Sequence, residues 1–222
     1  MEDKILEQLT IHNENLSQIF STLKNKSSLN WQLLISGLIG FLSALVLQIV
    51  IVPIKYRLFG PKLELKFNNN EYAYKTEIIK NKVTTHYIRV EVVNTGRQIA
   101  KQCRAYLVNV ERENSSGQFV PTHYKDSLQL SWAAKKDEKD KFSPLDLSKD
   151  ISQFINVIVI TEPNKYQTQV QEDLYSYKNL LQGEHGKFRY TIHVSGDNVN
   201  PAFIKIISNW NGNWENYEIY LG

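Results

Sequence analysis

The chain has 222 residues and a formal charge of +3, with 26 basic and 23 acidic side chains and one cysteine. So slight a positive balance argues against a nucleic-acid footprint, which needs Lys and Arg clustered on one face. A lone cysteine, Cys103, excludes an intramolecular disulfide framework and favours a reducing compartment.

The N-terminal segment, residues 1–28, reads as an amphipathic helix. Ile5, Leu9, Leu16, Ile19 and Leu23 follow alternating spacings of four and three, with His12 in the missing seat. That is a heptad seam, so a short coiled coil through Leu9, Leu16 and Leu23 is the first expectation. A helix lying on the membrane surface is the alternative, opposed by Glu2, Asp3, Glu7 and Glu14.

Residues 31–54, WQLLISGLIGFLSALVLQIVIVPI, carry no charge. At about 1.5 Å per residue such a run crosses a hydrocarbon core of about 30 Å, so one transmembrane helix is expected. Trp31 and Tyr56 flank it, and Pro53 sits at the exit. A cleaved signal peptide fits poorly, because the run is long, begins after thirty residues and lacks a small-residue cleavage pattern. Lys24 and Lys26 precede the run, whereas Lys55, Arg57, Lys62 and Lys66 follow it. The positive-inside rule then places the protein in the cell (inner) membrane as a single-pass chain, with the C-terminal domain in the cytoplasm. Ser36, Gly40 and Ala44 recur every fourth residue, a spacing that allows close helix–helix approach. Together with the seam, they point to a homo-oligomer.

Residues 62–222 change to period two. Leu63, Leu65 and Phe67 alternate with polar residues, as do Ile88, Val90 and Val92, and Phe188, Tyr190, Ile192 and Val194. Each set predicts a strand with one buried face. Gln102 to Glu111 and Ser127 to Trp132 read as further strands, and Gln153 to Ile160, apolar on both faces, as a central one. Helical spacing returns at Val170, Leu174, Tyr177 and Leu181, which predicts a helical insertion near 167–182 with Gly183 as its cap. Asn211-Gly212 predicts a two-residue type I′ hairpin that pairs Trp210 with Asn213. In that register Ile204 and Ile206 share a core face with Tyr217, Ile219 and Leu221. The resulting fold class is mainly β. An immunoglobulin-like β-sandwich is favoured over a small β-barrel, preceded by the N-terminal helix and the transmembrane helix.

VEVVNTGRQIAKQCRAYLV, LQLSW and IHVSGDNVNPAFIKIISNWNG together resemble a layout that recurs among prokaryotic membrane-anchored β-sandwich proteins. In it an Asn-x-Gly turn joins two strands and a short strand ending in Trp follows. The resemblance spans Lys62 to Gly222 and implies a fold without an activity.

Chemistry is sparse. None of the five histidines (His12, His86, His123, His185, His193) stands at metal-ligand spacing from another ligand. Cys103 sits among apolar strand residues and reads as a buried thiol. The acidic loop Asp137 to Asp150 is interleaved with lysines that oppose calcium. No nucleophile elbow or phosphate loop occurs. No cofactor, metal or catalytic residue is expected. Trp210 and Trp214 with Asn209 and Asn213 form a candidate binding surface, although burial as end caps of the core explains the tryptophans better. The expected function is a membrane-anchored, non-enzymatic binding protein for an unknown protein or small ligand. An oligomerising membrane effector of a bacterial defence system is the alternative, and a hydrolase comes last.

Overall fold

A computed structural model describes residues 14, 17–18, 31–51, 55, 58–133, 135, 140–171 and 177–222. The chain divides into two compact units, Met1–Tyr56 and Arg57–Gly222. Leu9, Leu16 and Leu23, which define the predicted seam, lie outside the described residues.

In the first unit, helix α1 spans Trp31–Val46 and passes directly into a π-helical turn, Leu47–Ile51. Among the described residues no helix is long and apolar enough to cross a membrane. This corrects the expectation of a regular spanning helix over 31–54. Sixteen α-helical residues rise only about 24 Å. The next five residues, Leu47–Ile51, wind as a π-helix instead.

The second unit is mainly β, with twelve strands among the described residues in one curled antiparallel sheet. The strands are β1 (Leu63–Lys66), β2 (Lys75–Lys80), β3 (Val83–Asn94), β4 (Ala100–Glu113), β5 (Phe119–Pro121), β6 (Leu128–Trp132), β7 (Leu145–Leu147), β8 (Ser152–Thr161), β9 (Lys165–Thr168), β10 (Gly186–Gly196), β11 (Val199–Trp210) and β12 (Tyr217–Leu221). The main order is β1-β3-β8-β6-β4-β10-β11-β12, with β2, β5, β7 and β9 paired at its margins. The alternating runs became strands whose apolar sets point inward: Ile88, Val90, Val92, Tyr190, Ile192 and Val194 are all fully buried. β8 is interior, between β3 and β6, as its two apolar faces require.

The two separate sheets of an immunoglobulin-like sandwich are not seen. The reason lies in β6. Ala105 and Leu107 of β4 pair with Leu130 and Leu128, while Ser131 and Trp132 pair with Asn156 and Ile155 of β8. One five-residue strand thus belongs to both layers and makes them a single sheet folded on itself. The fold brings β1 against β11, so the two ends of the sheet meet along a seam.

The Asn-x-Gly turn between β3 and β4 anchors the start of β1. Asn94 is fully buried, and its side chain makes four hydrogen bonds. Its Oδ1 accepts from Lys62 N and Gly96 N, each at 3.0 Å, and its Nδ2 donates to Gln98 O (2.6 Å) and Leu147 O (2.9 Å). Gly96 is required sterically: a Cβ there would lie 2.3 Å from Gly60 O and 2.4 Å from Lys62 N.

Two local expectations are corrected. The connection after β11 has six residues, so Trp210 pairs with Tyr217 rather than Asn213. Gly212 does have positive φ, at 91°, but within this longer loop. Because two and six are both even, the face assignment survives: Ile206, Ser208 and Trp210 oppose Leu221, Ile219 and Tyr217. The two-residue hairpin lies elsewhere, at Asn81-Lys82 between β2 and β3, with φ of 52° and 64° and Lys80 opposite Val83. The helical stretch is also shorter than its spacing suggests. Residues 165–168 are β9, Val170 bridges Leu130, and α2 covers only Lys178–Leu181. Gly183 follows α2 with φ of 92°; residues 172–176, with Leu174 among them, lie outside the described residues.

Candidate functional site

The seam is not fully closed. Among the described residues β12 pairs only with β11 and β2 only with β3, and the loop between β1 and β2 reaches β12 through Asn69. A cleft of about 530 Å³ lies there, lined by Phe67, Asn69, Lys75, Ile88, Tyr217 and the following residues of β12 to Tyr220. Period two explains the lining. Lys75 begins β2 directly opposite Ile88 of β3, so the two share a face, and Ile88 forms an apolar floor. Asn69 reaches across the gap and donates from Nδ2 to the carbonyl of Ile219 at 3.1 Å. The loop that carries it is held by its own bonds, Asn68 Nδ2 to Glu71 at 2.6 Å and Asn70 N to Asn68 Oδ1 at 3.1 Å.

Behind the cleft runs a polar chain. The Tyr217 hydroxyl lies 2.9 Å from His86 Nδ1, and His86 Nε2 lies 3.4 Å from Glu77 Oε2. With a carboxylate facing Nε2, the proton of the neutral ring is assigned to that nitrogen, and Tyr217 donates to Nδ1. Burial lowers the pKa of His86; Lys75 adds to the effect, and Glu77 opposes it. Burial also pushes the Tyr217 hydroxyl well above its usual range, helped by Glu77. Both groups are therefore neutral near pH 7. Trp214 leans on the His86 ring, with centroids 5.7 Å apart. Above Tyr217 sits the Lys75 ammonium, 4.4 Å from the ring centroid. Among the described residues no carboxylate pairs with Lys75. A cation held over an aromatic ring and bonded to no carboxylate can receive an anionic group, with Glu218 as the acidic residue of the same lining.

The sequence-derived surface does not converge in this way. Trp210 is only 2% exposed, its ring tilted against Tyr166 with centroids 5.3 Å apart. Trp214 is half-buried against His86 and the core. Asn209 is half-buried on the opposite face, where its Nδ2 donates to Glu218 at 3.2 Å. Asn213 is exposed, and its Oδ1 accepts from Glu215 N at 3.0 Å. Of the four, only Trp214 touches the cluster behind the cleft. Ser36, Gly40 and Ala44 are exposed along α1, and a Cβ added at Gly40 would meet nothing within 4 Å.

Two further groups have shifted pKa values away from the cleft. Cys103 is buried, and burial, with Asp146 and Asp197 nearby, pushes its thiol up to about 12. His193 stacks on Phe203 at 4.5 Å, and burial lowers its pKa. Among the described residues no three His, Cys, Asp or Glu side chains gather as metal ligands.

Neither the known protein families nor the curated proteins contain a match to this chain.

Proposed function

We propose that the protein is a membrane-anchored, non-enzymatic binding module whose seam cleft receives an anionic ligand. The observation that carries the binding reading is Lys75, poised over Tyr217 at the mouth of the cleft without a carboxylate of its own. The thiol of Cys103 and the hydroxyl of Tyr217 stay protonated near neutral pH, which supports recognition over nucleophilic catalysis.

Anchorage is supported by the surface of the first unit. α1 and the π-helical turn run without a break from Trp31 to Ile51 and hold no charged side chain. Ile35, Leu38, Ile39, Phe41, Leu42, Val46, Leu47 and Ile49 are each more than half exposed. So continuous an apolar surface needs lipid or partner helices around it. Copies of α1 meeting at Ser36, Gly40 and Ala44 would cover part of it. The excess of Lys55, Arg57, Lys62 and Lys66 over Lys24 and Lys26 supports a β domain on the cytoplasmic side.

Two measurements test the proposal. Alkaline carbonate should leave the chain in the membrane pellet, and release into the supernatant would refute anchorage. With the full chain in nanodiscs and isoleucine methyls labelled, 1-naphthoate should shift the Ile88 and Ile219 signals, and Lys75→Glu should remove the shift. Unmoved methyls at saturating probe would refute the cleft as a site.

A further inference from the structure

Resting on that reading of the cleft, we infer that its ligand is an extended peptide segment of a partner protein, added as a strand along the free edge of β12 with an acidic side chain at Lys75.

Backbone parity carries the argument. In an antiparallel ladder, residues alternate between those bonded to the partner strand and those whose N–H and C=O point the other way. Gly222 N donates to Lys205 O at 2.9 Å, which makes Lys205 and Gly222 a bonded pair and Ile206 with Leu221 the pair that faces outward. Counting back, Tyr217, Ile219 and Leu221 all direct their main-chain groups away from β11 and toward the cleft. Asn69 confirms the count, since it finds the Ile219 carbonyl on that outer edge. Its carboxamide N–H stands where the N–H of an incoming strand would stand. The opposite wall obeys the same rule. Arg89 N donates to Tyr74 O at 2.8 Å, so Lys75, opposite Ile88, turns its own main-chain groups away from β3, but its N–H is spent on Glu71 O at 3.3 Å, which leaves β12 as the edge that an incoming strand reads.

An extended chain matches these features together. Its backbone supplies donors and acceptors at the two-residue repeat that β12 presents. Alternate side chains enter between Phe67, Ile88 and Ile219, and one carboxylate meets the unpaired Lys75. A small anion would use Lys75 and leave the outward groups of Tyr217 and Leu221 without a protein partner.

The probe is a blocked seven-residue peptide of alternating Thr and Val with a central Asp, titrated into the full chain in nanodiscs with the Ile88 and Ile219 methyls as readout. Two derivatives are N-methylated at odd or at even positions. One should bind like the parent and the other at least about tenfold more weakly, because only one set of N–H groups faces β12. Asn69→Ala should tighten binding severalfold by freeing the Ile219 carbonyl. Lys75→Glu should weaken the Asp peptide and favour its Lys counterpart, with unchanged methyl signals elsewhere showing that the variant is folded. Equal binding by both methylated forms would overturn strand addition. No peptide binding while 1-naphthoate still shifts both methyls would overturn this inference and leave the cleft reading intact. Silence from both probes would remove both.

Discussion

Replacing Asn94 by Asp changes one atom type at the centre of the turn that joins β1 to the sheet. The two bonds accepted by Oδ1 from Lys62 N and Gly96 N can persist. The two donated by Nδ2, to Gln98 O and Leu147 O, are lost, and a carboxylate oxygen is set against both carbonyls. Each lost bond is worth about 1 kcal/mol, and a buried carbonyl left without its donor costs about 1–3 kcal/mol. A loss of about 3–5 kcal/mol is expected, a large part of the 5–15 kcal/mol typical of a domain. For a β unit of this size that lowers Tm by roughly 6–20 °C. Urea unfolding of the full chain, followed by tryptophan fluorescence with Trp132 as a fully buried reporter, measures it. The deficit should shrink on acidification, since a protonated Asp regains one donor and its pKa in this site lies above the unfolded value of about 3.9. A deficit below about 1 kcal/mol at pH 7 would refute the idea that this side chain holds the turn together.

Three further outcomes are expected. Gly212→Val should cost about 1–3 kcal/mol, because φ is 91° and a Cβ would lie 2.6 Å from His185 Nε2; matching thermal melts would contradict this. His86 and His193 both have lowered pKa values, so the unfolded chain binds more protons between their folded and unfolded pKa values. Stability should therefore fall as pH drops through the unfolded histidine value of about 6.5, and a His86→Gln, His193→Gln double variant should flatten that slope. Glu111, whose carboxyl is held below its usual range by the Arg189 hydrogen bond, titrates at lower pH and should not obscure the window. Gly40→Ile should reduce crosslinked oligomers in membranes if copies of α1 meet at Ser36, Gly40 and Ala44, and an unchanged crosslinking pattern would move the contact elsewhere.

Much of the strand layout was legible because burial imposes period two. Ile88, Val90 and Val92, and Tyr190, Ile192 and Val194, occupy the core positions their alternation assigns. What failed was local turn chemistry. Asn211-Gly212 carries the strongest hairpin signal in the chain, yet the six-residue loop lets Trp210 oppose Tyr217. Asn81-Lys82 carries a weak signal, because a lysine at φ 64° is unfavourable by itself; pairing of β2 along β3 holds it there. The split of β6 between two partners leaves no mark on LQLSW, since both layers bury the same residue types. The cleft was illegible for a different reason. His86 and Tyr217 are 131 positions apart, and Lys75 looks like any exposed strand lysine until the curl of the sheet sets it over an aromatic ring.

The tight turn at Asn81-Lys82 has a consequence for how this protein can change length. Lys75 is six positions before Asn81, and its side faces the cleft only because Lys80 opposes Val83 and the pairing counts back without a gap to Ile88. One residue inserted into that turn would rotate β2 by half a repeat, sending Lys75 to the other face and Glu77 with it. The same insertion in the six-residue connection after Trp210 would be taken up by the loop, with Trp210 still opposite Tyr217. Among descendants of this chain, lengthening should accumulate after Trp210 and be purged at Asn81-Lys82. The charge at the mouth of the cleft is thus encoded as much by a residue count as by the lysine itself.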